Sequence, residues 1–326
     1  MHRGEGLEQA IEKNSRRRDK RRVRFHLSLI DTAPQVGADD TIVRGRTMGI
    51  FIDDDVKARV ARLQVPFNAH GYDKYGTSRN HLELFFSLLA PLYRSYFKVD
   101  VSGSQFVPVT GRGMLVGNHS GGYAIDGLMT VAAAFFELEP PRLAQGMAEK
   151  FLSALPVSSS WSQKLGHLPG LPENAERLLR DDRLLMVFPE GARGTAKLYK
   201  DRWSLVNFGT GFVRLALKTK TPIIPMAFIG GGDVLPTVKN MYGLGRMVGV
   251  PYIPLTPWGL ALPIPRPCSI HFGPPLIFDG TGTEDDETIE GLVAEVKATI
   301  ASLMAEARPA HERRVRPLPF IGGSAA

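Results

Sequence analysis

The sequence predicts one α/β domain with a mostly parallel central sheet flanked by helices. Three observations carry that expectation. Short continuous apolar runs, RLLMVFPEG (183–191) and TPIIPMAFIGG (221–231), end at glycine-containing turns, as strands buried on both faces do. Segments with apolar residues at helical spacing lie between such runs. Strand-like and helix-like stretches therefore alternate, the pattern of a parallel sheet with crossover helices.

Taken in order, residues 1–45 show neither period and are read as a basic, unstructured arm. The domain is expected over 46–307. NHLELFFSLLAPLYRSYFKV (80–99) has helical spacing up to Pro91, with a second short helical stretch after it. YFKVDVSG and GRGMLVGN read as strands, and DGLMTVAAAFFEL (126–138) as a buried helix closed by Pro140 and Pro141. PENAERLLRDD starts a surface helix at Pro172, where the missing N–H costs nothing. GTGFVRLALKTK reads as a helix and CSIHFGPPL as a strand. The last helix begins near Asp285, Asp286 and Glu287, which complement its dipole. Residues 308–326, basic and rich in Pro and Gly, are read as a loose tail.

The net charge of +7 is concentrated. Between Ile11 and His26 eight basic residues stand against Glu12 and Asp19. This segment is a solvated arm or a contact for anionic lipid headgroups, worth about 1 kcal/mol per basic side chain near the surface. Nucleic-acid binding is not expected, because no aromatic interleaving or reader module accompanies it. One cysteine, Cys268, excludes an intramolecular disulfide. The opening residues do not resemble a signal peptide, so a cytoplasmic protein is expected, peripherally associated with the inner face of the membrane. The uncharged stretch 247–265 is interrupted by Pro251, Pro254, Pro257, Pro263 and Pro265 and cannot be one helix. It is either a loop packed on the core or an apolar surface dipping into a bilayer around Tyr252 and Trp258.

In parallel sheets the working residues lie beyond the carboxyl ends of strands. Two polar exits stand out, GNHSGGYAID (117–126) and FPEGARG (188–194). At the first, His119 can accept a proton from a hydroxyl if a carboxylate fixes its far nitrogen. Seven residues of straight helix would leave Asp126 roughly 10 Å away. The pair therefore requires Ser120–Gly121–Gly122 to fold the chain back, with glycine supplying positive φ. The alternative is that Ser120 caps the helix and His119 is a bystander. At the second exit, Glu190 can bind a substrate hydroxyl and Arg193 a phosphate. The alternative there is a surface ion pair between the two.

The order Asn-His, spacer, Asp, then Phe188-Pro189-Glu190-Gly191-x-Arg193, then Thr221-Pro-Ile-Ile-Pro225, resembles the glycerolipid acyltransferases over roughly residues 70–305. That family includes the lysophosphatidic acid acyltransferases and a mono- and diacylglycerol acyltransferase-like branch, to which this chain is most similar. The resemblance implies a glycerolphosphate acyltransferase-like fold, with His119 as general base and Asp126 orienting it. It implies Phe188, Pro189, Glu190, Gly191 and Arg193 as the acceptor-binding block, and Thr221–Pro225 as a late block beside the site. Acyl-CoA or acyl carrier protein would be the co-substrate, with no cofactor or metal, and a lipid the acceptor. The membrane surface would be met through 11–26 and 247–265. Two departures stand out. The usual His–Asp spacer is four residues and here it is six, and the family's arginine-bearing middle block has no equivalent, since LGHLPGLPEN offers only His167 and Gly170. The alternatives are an acyltransferase for a non-glycerol lipid, or an inactive lipid-binding member of the fold.

Overall fold

The computed structural model describes residues 52–316 and 318, except 121, 124, 149–155 and 261. The basic segment 11–26, with the whole arm, lies outside the described residues.

The chain opens with helices α1 (Asp54–Ala61) and α2 (Arg79–Pro91), the second running into a π-helical turn at Leu92–Tyr96. Then come β1 (Asp100–Ser102), β2 (Gly113–Gly117), α3 (Ile125–Phe136), β3 (Ala144–Ala148), α4 (Pro156–Lys164) and β4 (Leu168–Pro169). The middle of the chain forms α5 (Pro172–Arg180), β5 (Leu184–Val187), α6 (Ala192–Thr195), α7 (Gly211–Thr219), β6 (Ile223–Ile229) and α8 (Gly231–Val234). The rest is β7 (Lys239–Met241), α9 (Tyr242–Met247), β8 (Ile253–Thr256), β9 (Gly259–Leu260), β10 (Ser269–Phe272) and α10 (Asp286–Arg314).

Seven strands make the main sheet in the order β1-β10-β6-β2-β5-β3-β4, parallel throughout except where β10 meets β6. β2 and β6 are buried at every residue, which is why they read as unbroken apolar runs. Alternate side chains of these strands feed two core layers. Leu115, Ile224, Met226 and Phe228 pack under α1, α2 and α3. Met114, Val116, Ile223 and Ala227 pack under α5, α7 and α10. α3 is buried almost all round, its Phe135 stacked on Phe86 of α2 with ring centroids 3.7 Å apart.

Two expectations are corrected. The stretch 247–265 is not a loop throughout: it contributes β8 and β9 to a three-stranded antiparallel sheet of order β7-β8-β9. Its prolines rule out a helix but not short strands joined by a tight turn. The tail does not start at 308, because α10 continues through Pro309 to Arg314. Tertiary anchors outweigh the one hydrogen bond a proline removes. His311 Nε2 meets Asp233 Oδ2 at 3.0 Å in the interior, and Arg314 pairs with Asp100. Among the described residues no helix is long and apolar enough to cross a membrane.

Candidate active site

The site forms where β2 and β5, hydrogen-bonded neighbours with Val116 opposite Val187, both leave the sheet. β2 runs close to β6, and a Cβ on Gly117 would lie 2.7 Å from the Met226 side chain. At Asn118 the side chain takes over the pairing. Its Nδ2 donates to Phe228 O (2.9 Å) and its Oδ1 accepts from Phe228 N (2.8 Å). The backbone of the next residue is thereby freed to turn out of the sheet.

The His119 imidazole and the Asp126 carboxylate meet across the six-residue spacer, Nδ1 to Oδ2 at 2.7 Å. His119 stands before α3 and Asp126 sits in its first turn. Gly122, with φ of +63°, helps bring the chain back, and a Cβ there would fall 2.1 Å from Leu235. The carboxylate is fully buried and only accepts: Oδ2 also takes Ser120 N at 2.6 Å, and Oδ1 takes Gly127 N at 2.8 Å. Ser120 contributes its amide and no side-chain cap, since its buried Oγ has no hydrogen-bond partner among the described residues. An ionised carboxylate has no proton to give, so Nδ1 of the neutral ring carries the proton and Nε2 the lone pair. Among the described residues no hydrogen bond reaches Nε2, and the side chain keeps 11% of its surface exposed. Phe188 stacks on the ring, centroids 4.3 Å apart and planes 11° from parallel.

The β5 exit makes its turn at Gly191, whose φ of +56° and ψ of −155° suit glycine alone. Gly194 lets α6 press against the histidine, because a Cβ there would sit 2.6 Å from His119 Cβ. Pro189 O accepts from Gly209 N at 3.0 Å and holds the turn to the following loop. Glu190 does not form the surface pair with Arg193, nor does it offer a free carboxylate to a hydroxyl. It is 1% exposed and accepts from His119 N (2.8 Å), Val206 N (3.0 Å) and Lys197 Nζ (3.1 and 3.0 Å). Arg193 is exposed, with Nη2 on Asn207 O at 3.3 Å. The run Thr221–Pro225 begins β6 at the end of the sheet away from His119, so the part of β6 that meets the site is Phe228. His167 is half-buried, and its Nδ1 accepts from Gly146 N at 2.9 Å, a bond between β3 and the segment entering β4 rather than a site contact.

Sequence reasoning missed Lys197 and the placement of Tyr252. Nothing in ARGTAK separates a buried lysine from a surface one. Tyr252 is in the interior, 3.4 Å from Gly122 O through its hydroxyl, and burial pushes its pKa up to about 12. Cys268 is 1% exposed, and burial raises its thiol well above the ordinary range, so it is no nucleophile.

Residues 98–229, which contain both turns, match the family model described as Acyltransferase. That segment therefore resembles an acyltransferase domain, and its two motifs resemble those of the glycerolipid acyltransferases. The chain is 36% identical over 223 residues to an uncharacterized protein of Mycobacterium tuberculosis, covering 65% of this chain and 62% of that one. It thus spans less than two thirds of that relative's length. It is 26% identical over 170 residues to the DGAT1/2-independent enzyme synthesizing storage lipids of Gallus gallus, covering 51% and 48%. Among solved structures, the 1-acyl-sn-glycerophosphate (LPA) acyltransferase PlsC of Thermotoga maritima aligns with a TM-score of 0.48 and 17% identity over 71% of this chain and 82% of that one.

Proposed function

We propose that the protein moves a fatty acyl group from acyl-CoA or acyl carrier protein to a hydroxyl of a glycerolipid or lysophospholipid at a membrane surface, with His119 as general base. The observation that carries this reading is the buried His119–Asp126 pair, which leaves Nε2 as an acceptor beside the turn of the acyltransferase domain. The acceptor hydroxyl gives its proton to Nε2 while its oxygen attacks the thioester carbonyl. A C–O bond forms and the C–S bond breaks. The proton on Nε2 then passes to the departing thiolate, which leaves as the thiol. Asp126 stabilises the imidazolium between the two steps. No acyl-enzyme is required, in keeping with the inert Cys268.

The substrate-binding block is read as two functions. Phe188 stacks on the imidazole, and Pro189, Glu190 and Gly191 hold the turn; Arg193 offers its guanidinium to an anionic acceptor. The avian relative's name, an enzyme synthesizing storage lipids, supports a storage lipid as product as well. Membrane contact through 247–265 is supported by Met247, Leu262 and Trp258, which are 82%, 70% and 48% exposed, whereas Tyr252 is 9% exposed and anchors the sheet.

The test is ester formation by the full-length chain from radiolabelled palmitoyl-CoA against a panel of lysophospholipids, monoacylglycerols and diacylglycerols. Esterification of at least one glycerolipid, with one thiol released per ester, is expected. Transfer only to a non-glycerol lipid, or none to any acceptor with palmitoyl-CoA or palmitoyl carrier protein, contradicts the proposal.

A further inference from the structure

We propose that Lys197 is a positioning residue for His119, acting through Glu190. This rests on His119 being the base. The side chains of Lys197 and Glu190 retain 5% and none of their surface. All three ammonium hydrogens have acceptors: Glu190 Oε1 at 3.1 Å, Glu190 Oε2 at 3.0 Å and Ser204 O at 2.9 Å. The same carboxylate accepts the His119 amide on Oε1 and the Val206 amide on Oε2. One buried ion pair therefore ties together the β2 exit, the β5 exit and the 204–206 segment.

The direction of dependence follows from desolvation. A buried carboxylate without its cation takes up a proton more readily. A protonated carboxyl has one oxygen carrying hydrogen, so it cannot accept equally at both oxygens. Either His119 N or Val206 N then loses its partner. If it is His119 N, the imidazole shifts against Asp126, and misplacement on the order of 1 Å can cost about 100-fold in rate. Arg193 cannot substitute, because it is exposed and bonded to Asn207 O. Gly194, against both His119 Cβ and Glu190 Cβ, is the spacer that lets the chain between Glu190 and Lys197 close over the histidine.

The test compares Lys197→Met with the wild-type full-length chain, using palmitoyl-CoA and the glycerolipid acceptor that the wild type esterifies. Ring resonances of His119 are followed by NMR, assigned through His119→Ala. Lys197→Met is expected to lower kcat about tenfold or more, leave KM within about twofold, and shift the His119 ring resonances. Folded Lys197→Met with unchanged kcat and unmoved ring resonances overturns the inference, as does a lowered Tm with both unchanged. Loss of a buried partner can also prevent folding. In that case Lys197→Arg carries the test, since it keeps the charge but cannot set one nitrogen on three acceptors. A folded Lys197→Arg with a three- to tenfold lower kcat and shifted His119 resonances, on the order expected for a small displacement, supports it. No change in either overturns it. Full activity in His119→Ala would remove the base assignment instead, and the ring resonances alone would then decide whether Lys197 positions His119.

Discussion

At His119 the chemistry is set by which nitrogen is occupied. Asp126 Oδ2 holds Nδ1 at 2.7 Å, and no hydrogen bond reaches Nε2 among the described residues, which is the nitrogen the proposed mechanism assigns to the substrate. That pairing was only half legible in the sequence. The residues and the glycines between them were readable, but whether a six-residue spacer closes depends on the fold of the loop and on Leu235 packing against Gly122. Glu190 and Arg193 divide in a way that residue type alone could not reveal. The carboxylate is spent on two amides and an ammonium, whereas the guanidinium, with five N–H donors, makes its bond to Asn207 and stays exposed. Arg193→Ala is therefore expected to raise KM for a phosphorylated acceptor about tenfold or more, as for a charge-assisted hydrogen bond of about 1.5–3 kcal/mol. KM for a monoacylglycerol should change less than about twofold. Initial-rate kinetics with both acceptors checks this, and an equal effect on the two would assign Arg193 to the donor or to the fold.

Among the elements, buried strands are the ones their composition announces, and β2, β5, β6 and β10 lie inside the runs read as strands. The edge pair β3–β4 and the small sheet β7-β8-β9 were missed, because short edge strands carry neither an unbroken apolar run nor alternation long enough to count. The β3–β4 edge has a consequence for pH. His167 Nδ1 accepts the Gly146 amide there, and burial lowers the His167 pKa from its ordinary value. Burial also lowers the pKa of His81 and His271. On acidification the unfolded chain takes these protons first, near pH 6.5, so their contribution to stability is complete above that pH and is lost as pH falls toward the folded pKa values. Tm is expected to fall between pH 7.5 and 5.5, and the fall should be shallower in His167→Gln. An identical pH slope in wild type and variant, measured by calorimetry, would show that His167 does not contribute.

For the whole molecule, the proposed acyl transfer to a lipid would require a bilayer to be met, and two features differ in how they would meet it. The basic segment 11–26 would attract anionic headgroups over a Debye length of about 10 Å at 0.1 M salt, so its contribution would be screened. The exposed Met247, Trp258 and Leu262 would act through buried apolar area, a contribution that should persist in salt. Vesicle flotation is expected to show two components: one lost at about 1 M salt or on deleting residues 1–26, the other lost in Met247→Ser/Trp258→Ser/Leu262→Ser with little change in Tm. Unchanged high-salt binding in the triple variant would remove 247–265 from the membrane contact. In the proposed mechanism a histidine held by a buried aspartate takes the acceptor's proton. The measurement that tests it most directly is thioester consumption by His119→Ala beside wild type, with the active acceptor and with folding verified by the melting curve. The account expects a fall of about 10²–10⁴-fold in kcat at unchanged Tm; a folded His119→Ala that turns over within a few-fold of wild type would contradict it.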